Sequence, residues 1–217
     1  EVSVYKARSR MGVILAKRWL EKHPELIPEV VIPAPFTSNT AAQSFANVLG
    51  VRYVEGLYKN PFVGRTFIMP GAKARKKQIR YKLSPQSSEI RNKTVLILDD
   101  SIVRGTTSIE IVRMLRESEA KAVYFVSACP PIIDPCYFGI DLPSRKDLIA
   151  ANYSEADIAA MLEVDCLMYQ ELDDLIEAVF SEGSDPIKNP CMACMGRQGV
   201  LSKLLPSKNA THLIGAC

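Results

Sequence analysis

No apolar run in this sequence approaches the ~20 residues that a membrane-spanning helix requires, and its first residues lack the zones of a secretory signal. Histidine occurs twice and tryptophan once, and six cysteines in 217 residues are too sparse for a disulfide framework. The expectation is a chain with reduced thiols, in the cytoplasm and with no membrane partner. A net charge of +3 is too small to imply a nucleic-acid partner by itself. No internal repeat and no low-complexity stretch is visible. What is present, 47% hydrophobic and 24% charged residues, suits one sizeable globular domain followed by a tail.

Negative charge is missing locally as well. Between Gly56 and Ser88 there is no Asp or Glu, while Lys59, Arg65, Lys73, Arg75, Lys76, Lys77, Arg80 and Lys82 all fall inside. Pro61, Gly64, Pro70 and Gly71 break any long helix through the first half of this segment, which therefore reads as a loop with a hairpin. A solvated basic surface and a nucleic-acid patch both fit such a charge run. The second needs aromatic side chains interleaved with the charge as a stacking platform, and that pattern is absent.

The most informative stretch runs from Thr94 to Ser108. Val95 to Leu98 are four apolar residues in a row, as in a parallel strand buried on both faces. Two carboxylates, Asp99 and Asp100, stand where that strand ends, and Ser101, Arg104, Gly105, Thr106, Thr107 and Ser108 form the loop that follows. Ile109, Val112, Met114 and Leu115 then supply a helical apolar stripe. Ligands of open α/β sheets bind outside the carboxyl ends of the strands, and a helix N-terminus is a ready anion site. Carboxylates for sugar hydroxyls or a metal thus stand beside a cradle for a phosphate, a pairing that suits a phosphorylated sugar.

A second strand–loop–helix lies upstream. Val30 to Ile32 form a short β-branched strand, and the turn from Pro33 through Phe36, Thr37 and Ser38 cannot continue it. Helical spacing resumes through Ala41, Ala42, Phe45, Ala46 and Leu49. In order, the sequence predicts helix 12–22, strand 30–33, helix 40–49, strand 52–54, strand 94–98, helix 106–117 and strand 122–127. Helices over 145–151 and 155–162, strand 166–168 and helix 173–180 complete it. Such alternation predicts βαβ units and an α/β fold whose central sheet is mainly parallel and flanked by helices.

The run from Val95 to Ser108 resembles the phosphoribosyl pyrophosphate (PRPP) signature of the type I phosphoribosyltransferases, in the form found in the amidophosphoribosyltransferases. Lys59 to Gly71 resembles the flexible lid loop of that family, and Pro33 to Ser38 resembles its pyrophosphate loop, with Phe36 where relatives usually carry an acidic residue. The resemblance covers Val2 to Ala178 almost without gaps. It implies a type I phosphoribosyltransferase fold with a lid and transfer of ammonia to PRPP, giving 5-phosphoribosylamine and pyrophosphate at the start of purine synthesis. It implies Asp99, Asp100, Lys59 and Arg65 as catalytic residues. Ser101, Arg104, Gly105, Thr106, Thr107, Ser108, Thr37 and Ser38 are implied to bind substrate, with Mg²⁺ at Ser38, Asp99 and Asp100. Purine nucleotides are implied as inhibitors and a homo-oligomer as the assembly of the full enzyme. A non-catalytic PRPP-binding regulatory module is the alternative, and the presence of the lid segment speaks against it.

In that family a glutaminase domain comes first and supplies the ammonia. Residues 1–25 correspond to the stretch after the join, so residues 1–183 are expected to be the phosphoribosyltransferase domain, without a glutaminase. Residues 184–217 are expected to be a tail. It carries Cys191 and Cys194 at C-x-x-C spacing, and with Cys136 these resemble three of the four ligands in the branch of the family that holds a [4Fe–4S] cluster. Leu142 to Ser144 and Gln170 to Val179 resemble the cluster-free branch instead, and the sequence leaves the two open. His23, before Pro24, reads as a helix-end residue, and the acids at Glu171, Asp173 and Asp174 as complements to a helix dipole.

Overall fold

A computed structural model describes residues 2–62, 82–136, 139–142, 144–180 and 191–196. Five strands form a wholly parallel sheet: β1 (Val30–Pro33), β2 (Arg52–Tyr53), β5 (Thr94–Asp99), β6 (Ala122–Ser127) and β7 (Cys166–Tyr169), in the order β2-β1-β5-β6-β7. Strand β5 lies at the centre, with Val95 beside Val30 on one side and beside Val123 on the other. Strands β3 (Leu57–Lys59) and β4 (Leu83–Pro85) make a separate antiparallel hairpin in which Lys59 pairs with Leu83.

Alternation along the strands feeds two cores. Val95 and Ile97 of β5, with Val123 and Phe125 of β6, join Ile111, Val112 and Leu115 of helix α4 (Thr106–Glu117). Leu96 and Leu98, with Val126, meet Trp19 of α1 (Val4–Lys22) and Phe45 of α2 (Asn39–Leu49). The unbroken apolar run of β5 is thus required by a sheet covered on both faces. Helix α6 (Glu155–Leu162) opens with a reciprocal capping box between Ser154 and Asp157.

Two expectations need correction, and one element was not foreseen. Helix α1 begins at Val4, eight residues before Gly12, because Ser3 caps it by accepting from the Lys6 N–H. The expected helix over 145–151 is a 3₁₀ turn, Arg145–Asp147, followed by the short α5 (Ile149–Asn152). Between β4 and β5 a single helical turn, α3 (Ser87–Ile90), had no signal beyond its buried Ile90. His23 does cap α1, donating its N–H to the Trp19 carbonyl at 2.8 Å. The acids of α7 (Leu172–Phe180) do more than face a dipole: buried Asp174 takes a forked contact from Arg18 at 2.8 and 3.0 Å, tying α7 to α1.

Helices α1 and α2 cross closely enough for Ser9 and Ser44 to share a hydrogen bond of 2.8 Å. A Cβ added to Gly12 would stand 2.1 Å from the Ala41 carbonyl oxygen, a backbone atom that cannot move aside. Gly12→Ala is therefore expected to destabilise the fold by about 1–3 kcal/mol, lowering the melting temperature by several degrees. An unchanged thermal melt would contradict this packing.

Candidate active site

The parallel register brings the carboxyl ends of β1 and β5 side by side, with Pro33 opposite Leu98. A cleft of about 270 Å³ opens there. Its floor is Asp99, Asp100 and Ser101, its far wall the loop from Val103 to Ser108, and its near wall Ala34, Pro35 and Thr37. Lys59 and Lys82 come in from the hairpin, where the Asn60 N–H donates to the Lys82 carbonyl at 2.8 Å.

The two carboxylates are not equivalent. Asp100 is exposed, whereas Asp99 is half-buried in the strand end and accepts the Asp100 N–H at 2.7 Å. Burial, and then the neighbouring Asp100 charge, hold the Asp99 carboxyl well above the usual carboxylate range. A pair of like charges so placed favours a cation or a hydroxyl donor between them. Hard oxygen donors of this kind fit Mg²⁺, which is commonly held by one or two carboxylates together with substrate phosphates.

Gly105 shapes the far wall. It sits at φ +74°, the left-handed turn that starts α4, and a Cβ there would stand 2.7 Å from Ile149 Cδ1. The loop is pinned from below where the Ile149 N–H donates to the Val103 carbonyl at 2.9 Å. Thr106, Thr107 and Ser108 fill the first turn of α4, where backbone N–H groups have no acceptor within the helix and the dipole is positive. Arg104 is exposed at the mouth of the same loop.

On the near wall, Thr37 faces the cleft but Ser38 is buried and lies outside its lining. The Ser38 hydroxyl donates instead to the Ala34 carbonyl across the turn. The Lys59 ammonium stands 4.7 Å from the centroid of the Phe36 ring. Arg65 and most of the expected lid, residues 63–81, lie outside the described residues. Sequence reasoning passed over Lys82, Asp141 and Leu142 as site residues, although all three line the cleft. Lys82 had a signal in its charge run; Asp141 and Leu142 reach the site only through tertiary folding.

The cysteine set gives no support to a cluster. Among the described residues no three His, Cys, Asp or Glu side chains are grouped to hold a metal ion. Cys194 docks by its carbonyl, accepting the N–H groups of Ile133 and Asp134 at 2.8 and 3.1 Å. Burial, and then the neighbouring Cys136 thiol, raises the Cys194 thiol.

Comparison with known proteins supplies the family. The amidophosphoribosyltransferase of Pseudomonas aeruginosa is 53% identical over 178 residues, which are 82% of this chain and 36% of that protein. This chain is a relative of the amidophosphoribosyltransferases over their phosphoribosyltransferase domain. The amidophosphoribosyltransferase of Methanocaldococcus jannaschii is 45% identical over 194 residues, 89% of this chain and 39% of that protein. The solved glutamine PRPP amidotransferase from B. subtilis, in complex with ADP and GMP, superposes with a TM-score of 0.75 at 36% identity, covering 90% of this chain and 42% of that one. The α/β architecture is therefore the type I phosphoribosyltransferase fold of these enzymes. The chain spans well under half the length of the amidophosphoribosyltransferases it matches. No family model matches it.

Proposed function

We propose that this domain transfers a 5-phosphoribosyl group from PRPP to ammonia, yielding 5-phosphoribosylamine and pyrophosphate, the first committed step of purine synthesis. The observation that carries this reading is the cleft itself: paired carboxylates on its floor, an open helix N-terminus on one wall, and two lysines among its lining. These match in order the sugar, the 5′-phosphate and the pyrophosphate of one substrate. The relatives' names supply the reaction.

Each residue then has a task. Asp99 and Asp100 hold the ribose 2′- and 3′-hydroxyls and stabilise the positive charge that builds on the ring as the C1–O bond lengthens. The N–H groups and hydroxyls of Thr106, Thr107 and Ser108, with Ser101, Gly105 and Arg104, grip the 5′-phosphate. Thr37 and the amides of its turn face the pyrophosphate, and Ser38 keeps that turn in shape through Ala34. Lys59 and Arg65 oppose the charge on the leaving group, and closure of the 59–82 segment excludes water. Mg²⁺, when bound beside Asp99 and Asp100, adds charge neutralisation on the leaving pyrophosphate. Ammonia is already a nucleophile, so the chain needs no strong general base. Nucleotides related to the ADP and GMP of the B. subtilis complex are proposed as inhibitors, a homo-oligomer as the assembly, and the cytoplasm as the location.

Pyrophosphate release from Mg·PRPP tests the activity. Release that depends on ammonium salt is expected. Release that needs a nucleobase instead would assign the site to a nucleobase transferase, and binding without turnover to a regulatory module.

A further inference from the structure

Phe36 is a large aromatic side chain left 58% exposed at the tip of the loop between β1 and α2. Nothing in the core requires it there. Its backbone is held firmly: its carbonyl accepts the Asn39 N–H at 3.2 Å, and the Ser38–Ala34 contact braces the turn beneath it. The Lys59 ammonium lies 4.7 Å from its ring centroid, within the range of a cation held by the negative face of an aromatic quadrupole. The lysine backbone is fixed in turn by pairing with Leu83 in the hairpin. Two elements distant in sequence thus meet through this contact beside the cleft.

We propose that Phe36 is a positioning residue whose ring holds the Lys59 ammonium at the cleft mouth, ready for a polyphosphate anion. The choice of an aromatic matters. A carboxylate at this place would hold the lysine by neutralising it, whereas a ring face attracts the cation and leaves its net charge for the ligand. A free lysine side chain must also give up its rotamer freedom when it binds an anion, and the ring removes part of that freedom beforehand. The inference rests on the reading of the cleft as a pyrophosphate site but concerns a residue to which that reading gives no task.

A double-mutant cycle with Phe36→Leu and Lys59→Ala tests it by calorimetry with Mg·PRPP. Phe36→Leu is expected to weaken binding about two- to fivefold, Phe36→Tyr to restore it, and Phe36→Leu to have no further effect once Lys59 is alanine. In the free wild-type protein, proton NMR should show Lys59 methylene signals shifted upfield by the ring, and Phe36→Leu should abolish that shift. Unshifted signals, unchanged binding in Phe36→Leu, or an equal loss in the Lys59→Ala background would each overturn the proposal. A wild type that binds no Mg·PRPP would sink the substrate assignment separately. The same cycle with inorganic pyrophosphate then decides the positioning role, and absence of binding to either anion overturns both.

Discussion

Replacing Asp99 and Asp100 together by asparagine is expected to weaken Mg·PRPP binding by roughly 10²–10⁴-fold, since each lost charged hydrogen-bond partner is worth about 1.5–3 kcal/mol. The free protein should respond in the opposite sense. Asp99 is half-buried beside a like charge, and its carboxyl is held well above the usual range by burial first and Asp100 second. The folded state therefore binds a proton more tightly than the unfolded chain does. Such a group costs nothing below the ordinary carboxylate range, costs progressively more as the pH rises from there, and reaches its full cost above its raised value. Asp99→Asn should then raise the melting temperature near neutral pH, with the gain shrinking as the solution is acidified through that window. Ligand binding should weaken over the same window, because a cation or a hydroxyl donor prefers the charged carboxylate. Thermal melts against pH, with calorimetry alongside, measure both. A variant that melts lower than the wild type at neutral pH would show that Asp99 is a structural group.

Gly105→Ala is expected to produce the second large loss. The residue needs a left-handed backbone at φ +74°, and its added Cβ would meet Ile149 Cδ1 at 2.7 Å. The Ile149 methyl is a side-chain end that can swing aside, so the lasting cost is the left-handed backbone, about 1–2 kcal/mol, and its relief is rotation of the loop that aims the first-turn N–H groups of α4. Mg·PRPP affinity should fall at least about tenfold, since those groups lose their aim at the phosphate. Gly50→Ala is the natural control. Gly50 caps α2 at φ +69° with open space around its Cβ position. Its substitution should cost stability of similar origin while leaving binding intact. Calorimetry on both variants makes the comparison. Equal loss of binding in the two, or none in Gly105→Ala, would remove the special role of the Gly105 turn.

Much of the site was legible because its chemistry is contiguous. A strand, two carboxylates, a glycine turn and a helix start lie within Thr94–Ser108, and helix α4 and strand β6 have the expected limits. The first two turns of α1 were missed because a serine cap is a weak signal without an apolar stripe behind it. The hairpin strands β3 and β4 are three residues each and lie on either side of the long basic segment, so their pairing is a long-range event that local pattern does not carry. Asp141 reaches the cleft for the same kind of reason. The family resemblance gave Ser38 a place in the site, but its hydroxyl turns back to Ala34, a choice made by the geometry of the turn. The C-x-x-C pair shows the opposite failure. Its spacing is suggestive, yet the described residues show Cys194 engaged through its backbone carbonyl and group no three ligand side chains around a metal.

The central claim is that one cleft binds the sugar, phosphate and pyrophosphate of a single ligand. Titration of Mg·PRPP into the protein by calorimetry tests it most directly, with ribose 5-phosphate and pyrophosphate as separate partial ligands. One saturable site is predicted, dependent on Mg²⁺, with PRPP bound more tightly than either fragment and each fragment competing for it. Absence of saturable binding, or fragments that bind without competing with PRPP, would contradict it.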